Sequence, residues 1–313
     1  MCSRWLIISI LAVWLGLLGG CGTSTGVEAA GSAGVGAAGQ AGRLPVVAAE
    51  SFWGSIARQL GGEKVWVRSL IVNPNVDPHS YEPAASDAIA LAQSRMAIVN
   101  GIGYDQWVSR LLAADGSPSR VVLNVGDTLG LHQGDNPHQW YSPRSVQRVV
   151  GQIVADFQRL DPKDARYFKR LQVSFETQGL SEYRRLISEI RARYAGVPVG
   201  YSESIFEPLG RALGLKLMTP YSFAKAIAEG TDVTAADIQT VDGQAQHRLI
   251  KVWIFNSQNV TPEVQRVNQL ARAAHIPITT ITETPSRPSE RFQEWQAAQL
   301  LSLRRALRKA TGR

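Results

Sequence analysis

Four short stretches carry side chains able to hold a divalent metal ion. Asp77-Pro78-His79-Ser80-Tyr81-Glu82-Pro83 and Asn136-Pro137-His138-Gln139-Trp140-Tyr141-Ser142-Pro143 each set a histidine in a proline-braced turn. Tyr201-Ser202-Glu203-Ser204-Ile205-Phe206 and Thr282-Glu283-Thr284-Pro285 each set a glutamate in a tight loop after an apolar run. Neutral imidazole nitrogens and carboxylate oxygens bind Zn²⁺, Mn²⁺ and Fe²⁺. Two carboxylates make a harder donor set than a three-histidine site would, which suits manganese, while zinc keeps the tighter equilibrium binding. The expected ligand is therefore one divalent ion, Mn²⁺ or Zn²⁺, with Fe²⁺ behind them. Imidazole binds metal only when unprotonated, so affinity should fall as the pH drops through about 6.5. A catalytic zinc keeps an open position for water beside a general base. Here all four donors are needed as ligands and no His-Glu-x-x-His pattern occurs. An enzyme is not expected.

What makes these four residues a set is where the surrounding elements would put them. Apolar runs at 45–49, 65–72, 96–100 and 120–125 read as strands, alternating with helical patterns at 51–57, 84–94 and 104–114. Ser51 is the expected N-cap of the first helix. A helix over 142–160 ends at Asp161-Pro162, and a periodic segment from 163 to about 194 reads as one helix of roughly 45 Å. Alternation then resumes, with strands at 197–201, 216–219, 251–255 and 276–282 and helices at 205–213, 235–248, 262–274 and 289–309. The pattern implies an α/β protein of two lobes, each a mainly parallel sheet flanked by helices, joined by one long rigid helix. The expected segments are 44–161, 162–195 and 196–313. His79 and His138 follow strands of the first lobe, Glu203 and Glu283 strands of the second, and ligands of such sheets gather beyond strand carboxyl ends. Glu50, Asp77, Asp135 and Glu207 are the acids that compete for these roles. His132, His247 and His275 fit the strand-end placement less well and are read as structural or exposed. Gly101-Ile102-Gly103 lacks a third glycine and reads as a turn rather than a phosphate loop.

The first 43 residues are of a different kind. Arg4 precedes an apolar run over 5–18, and Leu18-Gly19-Gly20-Cys21 resembles a bacterial lipobox, so residues 1–21 read as a lipoprotein signal with Cys21 lipidated. Residues 22–43 are rich in Gly, Ala, Ser and Thr, a flexible tether that would hold the protein to the membrane by its lipid. Cys2 and Cys21 are the chain's two cysteines, which leaves the folded part without a disulfide framework. The formal net charge is +7, but the Lys and Arg residues are scattered through helical segments rather than gathered with aromatics. Nucleic acid is not expected as a partner; attraction to an anionic membrane surface accounts for the charge. Nothing in the sequence signals stable oligomerisation, and a monomer is expected.

On the two histidine motifs, the chain resembles the solute-binding lipoproteins of bacterial zinc/manganese ABC transporters. Pro78-His79-Ser80-Tyr81-Glu82 is similar to the family's first ligand motif. Asn136-Pro137-His138-Gln139-Trp140 is similar to its second, usually written with an acid before the proline. Many members place histidine at the position of Glu203, and manganese-type members place glutamate there. The fourth position is usually aspartate, where this chain has Glu283. The long histidine-rich loop of zinc-type members is absent, with residues 132–135 its remnant. The resemblance implies an ABC permease and its ATPase as partners and a lipid-anchored location on the outer face of the cytoplasmic membrane. An alternative reading is a two-lobe binding protein for an iron chelate or other organic cofactor, for which Trp140, Tyr141 and Tyr201 would supply aromatic contacts. An adhesin role on the same fold is a further possibility.

Overall fold

Two four-stranded sheets of the same topology form the framework. The computed structural model describes residues 42–76 and 78–313; the signal and lipobox with Cys21, all but the end of the tether, and Asp77 lie outside the described residues. In the first sheet β1 (Leu44–Glu50), β2 (Val65–Ile71), β3 (Met96–Val99) and β4 (Val121–Asn124) lie in the order β2-β1-β3-β4. In the second, β5 (Pro198–Tyr201), β6 (Lys216–Leu217), β7 (Val252–Asn256) and β8 (Ile278–Ile281) lie in the order β6-β5-β7-β8. Every neighbouring pair is parallel. A parallel strand in mid-sheet is covered on both faces, which is why β3 is an unbroken buried apolar run whereas the edge strand β4 exposes Val122.

Helices cover both sheets. Around the first are α1 (Ser51–Gly61), α2 (Ala85–Ala92), α3 (Gln106–Asp115), α4 (Val125–Leu129) and α5 (Pro143–Leu160). Two further helices, α6 (Ala165–Ser174) and α7 (Ser181–Tyr194), lie between the sheets in the chain. Around the second are α8 (Glu207–Ala212), α9 (Tyr221–Glu229), α10 (Ala235–Gln246), α11 (Pro262–Ala273) and α12 (Phe292–Thr311). Helix α5 starts where its sequence says it should: the Ser142 hydroxyl accepts from the Ser145 amide at 3.2 Å, and Pro143 takes the first helical position. The first helix differs from expectation. Ser51 is already inside α1, and the N-cap position is Glu50, whose backbone is still extended and whose side chain makes no capping bond.

The segment expected as one helix over 163–194 is not a uniform rod. A 3-10 turn at Pro162–Asp164 leads into α6, then a π-helical turn at Phe175–Gly179, then α7. The wide turn is closed by the Leu180 amide donating to the Phe175 carbonyl at 2.8 Å. It brings Phe175, Leu180 and Tyr183 to the buried side together. Two helices have no counterpart in the sequence reading. The five-residue α4 is too short for periodicity to register. In α9 only Phe223, Ala224 and Ile227 are buried, a stripe too narrow to stand out.

One apolar core runs through both sheets, taking Val46 and Met96 from the first and Val199 and Ile254 from the second. At the seam Phe52 of α1 stacks on Trp140 with centroids 4.1 Å apart, and Trp295 of α12 also packs against Phe52. Polar bonds reinforce it: the Gln59 and Gln293 amides pair reciprocally at 3.1 and 2.7 Å, and the Phe292 amide donates to the Ser55 hydroxyl.

Candidate metal centre

The four candidate donors are delivered by loops at strand carboxyl ends. His79 sits in a 3-10 turn, Pro78–Ser80, beyond β2. His138 follows β4 and α4 and immediately precedes a 3-10 turn, Gln139–Tyr141. Glu203 follows β5, and Glu283 follows β8. His79, His138 and Glu283 converge: one donor atom from each lies within 4.8 Å of the other two. His138 Nε2 and Glu283 Oε1 are 3.3 Å apart. The His138 and Glu283 side chains are buried, whereas His79 is exposed at the mouth, its ring edge-on to Tyr104 at 4.6 Å.

Glu203 is buried but stands outside that three-residue group. Its Oε1 accepts from Asn256 Nδ2 and its Oε2 from Asn259 Nδ2, each at 3.0 Å. Asn256 Nδ2 also reaches Glu283 Oε2 at 3.3 Å, so one amide links the two carboxylates. Glu203 makes no helix-capping bond to the turn that follows it.

Each loop is pinned from behind. The Glu283 and Thr284 amides both donate to Gln258 Oε1, at 2.6 and 3.0 Å. Gln258 Nε2 donates to the Pro74 carbonyl at 2.8 Å, tying the Glu283 loop to the loop before His79. Tyr141 donates its hydroxyl to the Thr282 carbonyl at 2.7 Å. At the end of β3, Asp105 accepts from the Asn100 and Gly101 amides at 2.7 and 2.8 Å. Asn100 in turn donates to the Pro137 carbonyl, next to His138, at 3.0 Å.

Burial pushes the Glu283 carboxyl up. The contact and charge of His138, the charge of His79 and the Tyr104 hydroxyl outweigh that and hold it below the usual carboxylate range. Tyr104 donates to Glu283 Oε1 at 3.2 Å. Two nitrogen donors around a carboxylate kept ionised in a buried place form a set that fits one divalent cation. Two small cavities, of about 240 and 190 Å³, open onto the group, and His79, Ala228 and Glu229 border both.

Of the competing acids, Glu50, Asp135 and Glu207 stand outside the three-residue group. Glu50 is fully buried beside Asp105 rather than among the histidines. Asp135 is exposed and accepts from the His132 amide at 2.9 Å. Glu207 accepts from Asn136 and Arg211. His132, His247 and His275 stand apart from the group. Sequence reasoning passed over Tyr104, Asn256, Asn259 and Gln258. Asn256 ends β7, so the strand-end rule that found the other residues would have found it. Tyr104 carries no comparable signal.

Two parallel sheets that close nitrogen and oxygen donors between their carboxyl ends have the build of a solute-binding protein. Residues 46–306 match the family model described as ZnuA, zinc-uptake complex component A, periplasmic. The chain belongs to this family of metal-binding solute-binding proteins of ABC transporters. It is 27% identical over 179 residues to the manganese-binding lipoprotein MntA of Halalkalibacterium halodurans, a match covering 55% of this chain and 58% of that relative, little more than half its length. It is 23% identical over 301 residues to the manganese ABC transporter substrate-binding lipoprotein PsaA of Streptococcus pneumoniae, covering 87% of each. Among solved structures, the binding protein FpvC of Pseudomonas aeruginosa in complex with Mn²⁺ superposes with a TM-score of 0.69 at 20% identity, covering 85% of this chain and 99% of that one. That likeness carries the fold.

Proposed function

We propose that this chain captures one divalent transition-metal ion, Mn²⁺ or Zn²⁺, outside the cytoplasmic membrane and delivers it to an ABC permease and its ATPase for import. The proposed ligands are His79, His138, Glu203 and Glu283, two from each of the lobes 44–161 and 196–313, with 162–195 between them. Lipidation at Cys21 anchors the chain, which works as a monomer. The observation that carries this reading is the convergence of His79, His138 and Glu283 within 4.8 Å. Glu203 is included because Asn256 already joins it to Glu283; exchanging one amide partner for the ion completes a two-nitrogen, two-carboxylate set. Cavities of about 240 and 190 Å³ suit a small hydrated ion better than an organic chelate. Relatives named for manganese and for zinc bracket the choice of metal.

The test is titration of metal-free protein with Mn²⁺ and Zn²⁺, following thermal stability. Saturation near one ion per chain is expected, with about 2.7 kcal/mol of stabilisation at a free concentration of 100 Kd. His79→Ala and His138→Ala should each weaken binding by on the order of 100-fold, at or above what outer partners contribute. Glu203→His should move the preference toward zinc. No stabilisation by any divalent ion, or full affinity in both histidine variants, would overturn the reading.

A further inference from the structure

The amino ends of β7 and β8 carry a second cluster of ionisable side chains, at the opposite end of the sheet from Glu203 and Glu283. There Arg248, Lys251, His275 and Lys309 border one cavity of about 220 Å³. The rest of its lining is apolar, and among the described residues no carboxylate borders it. Arg266 of α11 and Arg304 of α12 each have a carboxylate partner, Asp242 and Glu189. Among the described residues none of the four around the cavity is in an ion pair.

Two of the four are held in a backbone conformation that disfavours them. Arg248 closes α10 with φ of +54°, and His275 closes α11 with φ of +55°. The closing bonds are main-chain ones: the Leu249 amide donates to the Gln244 carbonyl at 2.9 Å, and the Ile276 amide to the Ala271 carbonyl at 2.8 Å. The same bond closes α4, α8 and α9, where the left-handed residue is Gly130, Gly214 and Gly230. The closure therefore needs neither the Arg248 nor the His275 side chain. Attraction of cations to a helix carboxyl end does not require them either, since α4 and α9 end with no basic residue in the last turn. Only beside this cavity does the chain spend strain to keep basic side chains where it otherwise uses glycine.

We propose that this cavity binds a phosphate group, either free phosphate or the headgroup of an anionic phospholipid. A phosphate offers acceptor oxygens on every side, which matches cations arriving from two loops, the start of a strand and a helix. Arginine supplies a planar fork to two oxygens and lysine a compact charge. A volume of about 220 Å³ is smaller than pockets that enclose whole drug-sized ligands, so the cavity takes the group rather than a large molecule. The site does not depend on the metal centre.

The experiment titrates the full chain, at constant pH and without added divalent metal, with inorganic phosphate and with glycerophosphoglycerol, the headgroup of phosphatidylglycerol without its acyl chains. Sodium chloride at matched ionic strength and the zwitterionic glycerophosphocholine are the controls. Ring-proton NMR of His275 reports occupancy, with His132 of the first lobe as the reference ring. A saturable shift of His275 and none of His132 is expected, with no such shift in either control. Arg248→Gly, Lys251→Gln and Lys309→Gln should each weaken binding about fivefold, the factor one cation contributes near an anionic surface. Arg248→Gly and His275→Gly should nevertheless melt at or above the wild-type temperature, because glycine takes the left-handed position without strain. Tighter binding of glycerophosphoglycerol assigns the site to a lipid headgroup, and tighter binding of inorganic phosphate to the free anion; either supports the proposal. No saturable His275 shift with either probe, or the same shift in matched chloride, would overturn it. So would unchanged affinity in Arg248→Gly and Lys309→Gln, or a lowered melting temperature in both glycine variants, which would show that these side chains serve the fold.

Discussion

The acids of this chain separate by what surrounds them. Glu283 is buried yet held low by two histidines and a tyrosine hydroxyl, whereas Glu50, fully buried, faces another acid. Burial first, then the charge of Asp105, pushes the Glu50 pKa well above 4.5, and neither of its oxygens has a well-formed hydrogen bond among the described residues. For an acid with a raised folded pKa, the folded chain keeps a proton that the unfolded chain gives up. The associated stability is complete below the unfolded value of about 4.5 and is lost as the pH rises through the folded pKa, at up to about 1.4 kcal/mol per pH unit. Glu50→Gln is neutral throughout, so its stability relative to wild type should grow as the pH rises from about 5 toward the folded pKa of Glu50. Urea midpoints across that range check it, and a constant offset between the two proteins would contradict the assignment. Sequence put Glu50 and Glu283 at equivalent strand ends. The neighbours that make one an ion and the other a held acid come from distant parts of the chain.

At the scale of elements, the loop after β3 shows how a turn reaches the metal centre. Gly101 has φ of +70°, and a Cβ there would collide with Asn124 Oδ1, which is itself engaged in capping α4. Its amide is one of the two gripped by Asp105, beside the Asn100 side chain that reaches the Pro137 carbonyl. Gly101→Ala should therefore cost roughly 1–3 kcal/mol, read as a lowered urea midpoint. Gly116→Ala is the control, because there a Cβ meets nothing within 4 Å although φ is also positive. An equal loss in both would mean that backbone strain, not the collision with Asn124, is what matters. The Gly101-Ile102-Gly103 turn was legible as a turn in the sequence. Its service to the His138 loop was not, because Pro137 lies more than thirty residues away along the chain.

At the scale of the whole molecule, the two sheets share one core. With Phe52 of α1 stacked on Trp140 and packed against Trp295 of α12, the lobes should unfold together. Phe52→Ala should cost about 3–5 kcal/mol and keep a single transition; two separate transitions would show the lobes to be independent. Sequence by itself determined the parallel α/β class, all eight strands to within a few residues, and the strand-end positions of His79, His138, Glu203 and Glu283. It could do so because those signals are local: apolar runs, turn residues and helix caps act over a few neighbours. The π turn in the 162–195 segment and helix α9 escaped because each depends on what it packs against. Only the tertiary structure decided that His79, His138 and Glu283 meet while Glu203 is held by Asn256 and Asn259, and that Asn136 beside His138 meets Glu207 of the other lobe. Those outcomes depend on distances across the lobe boundary, and no spacing along the chain encodes them.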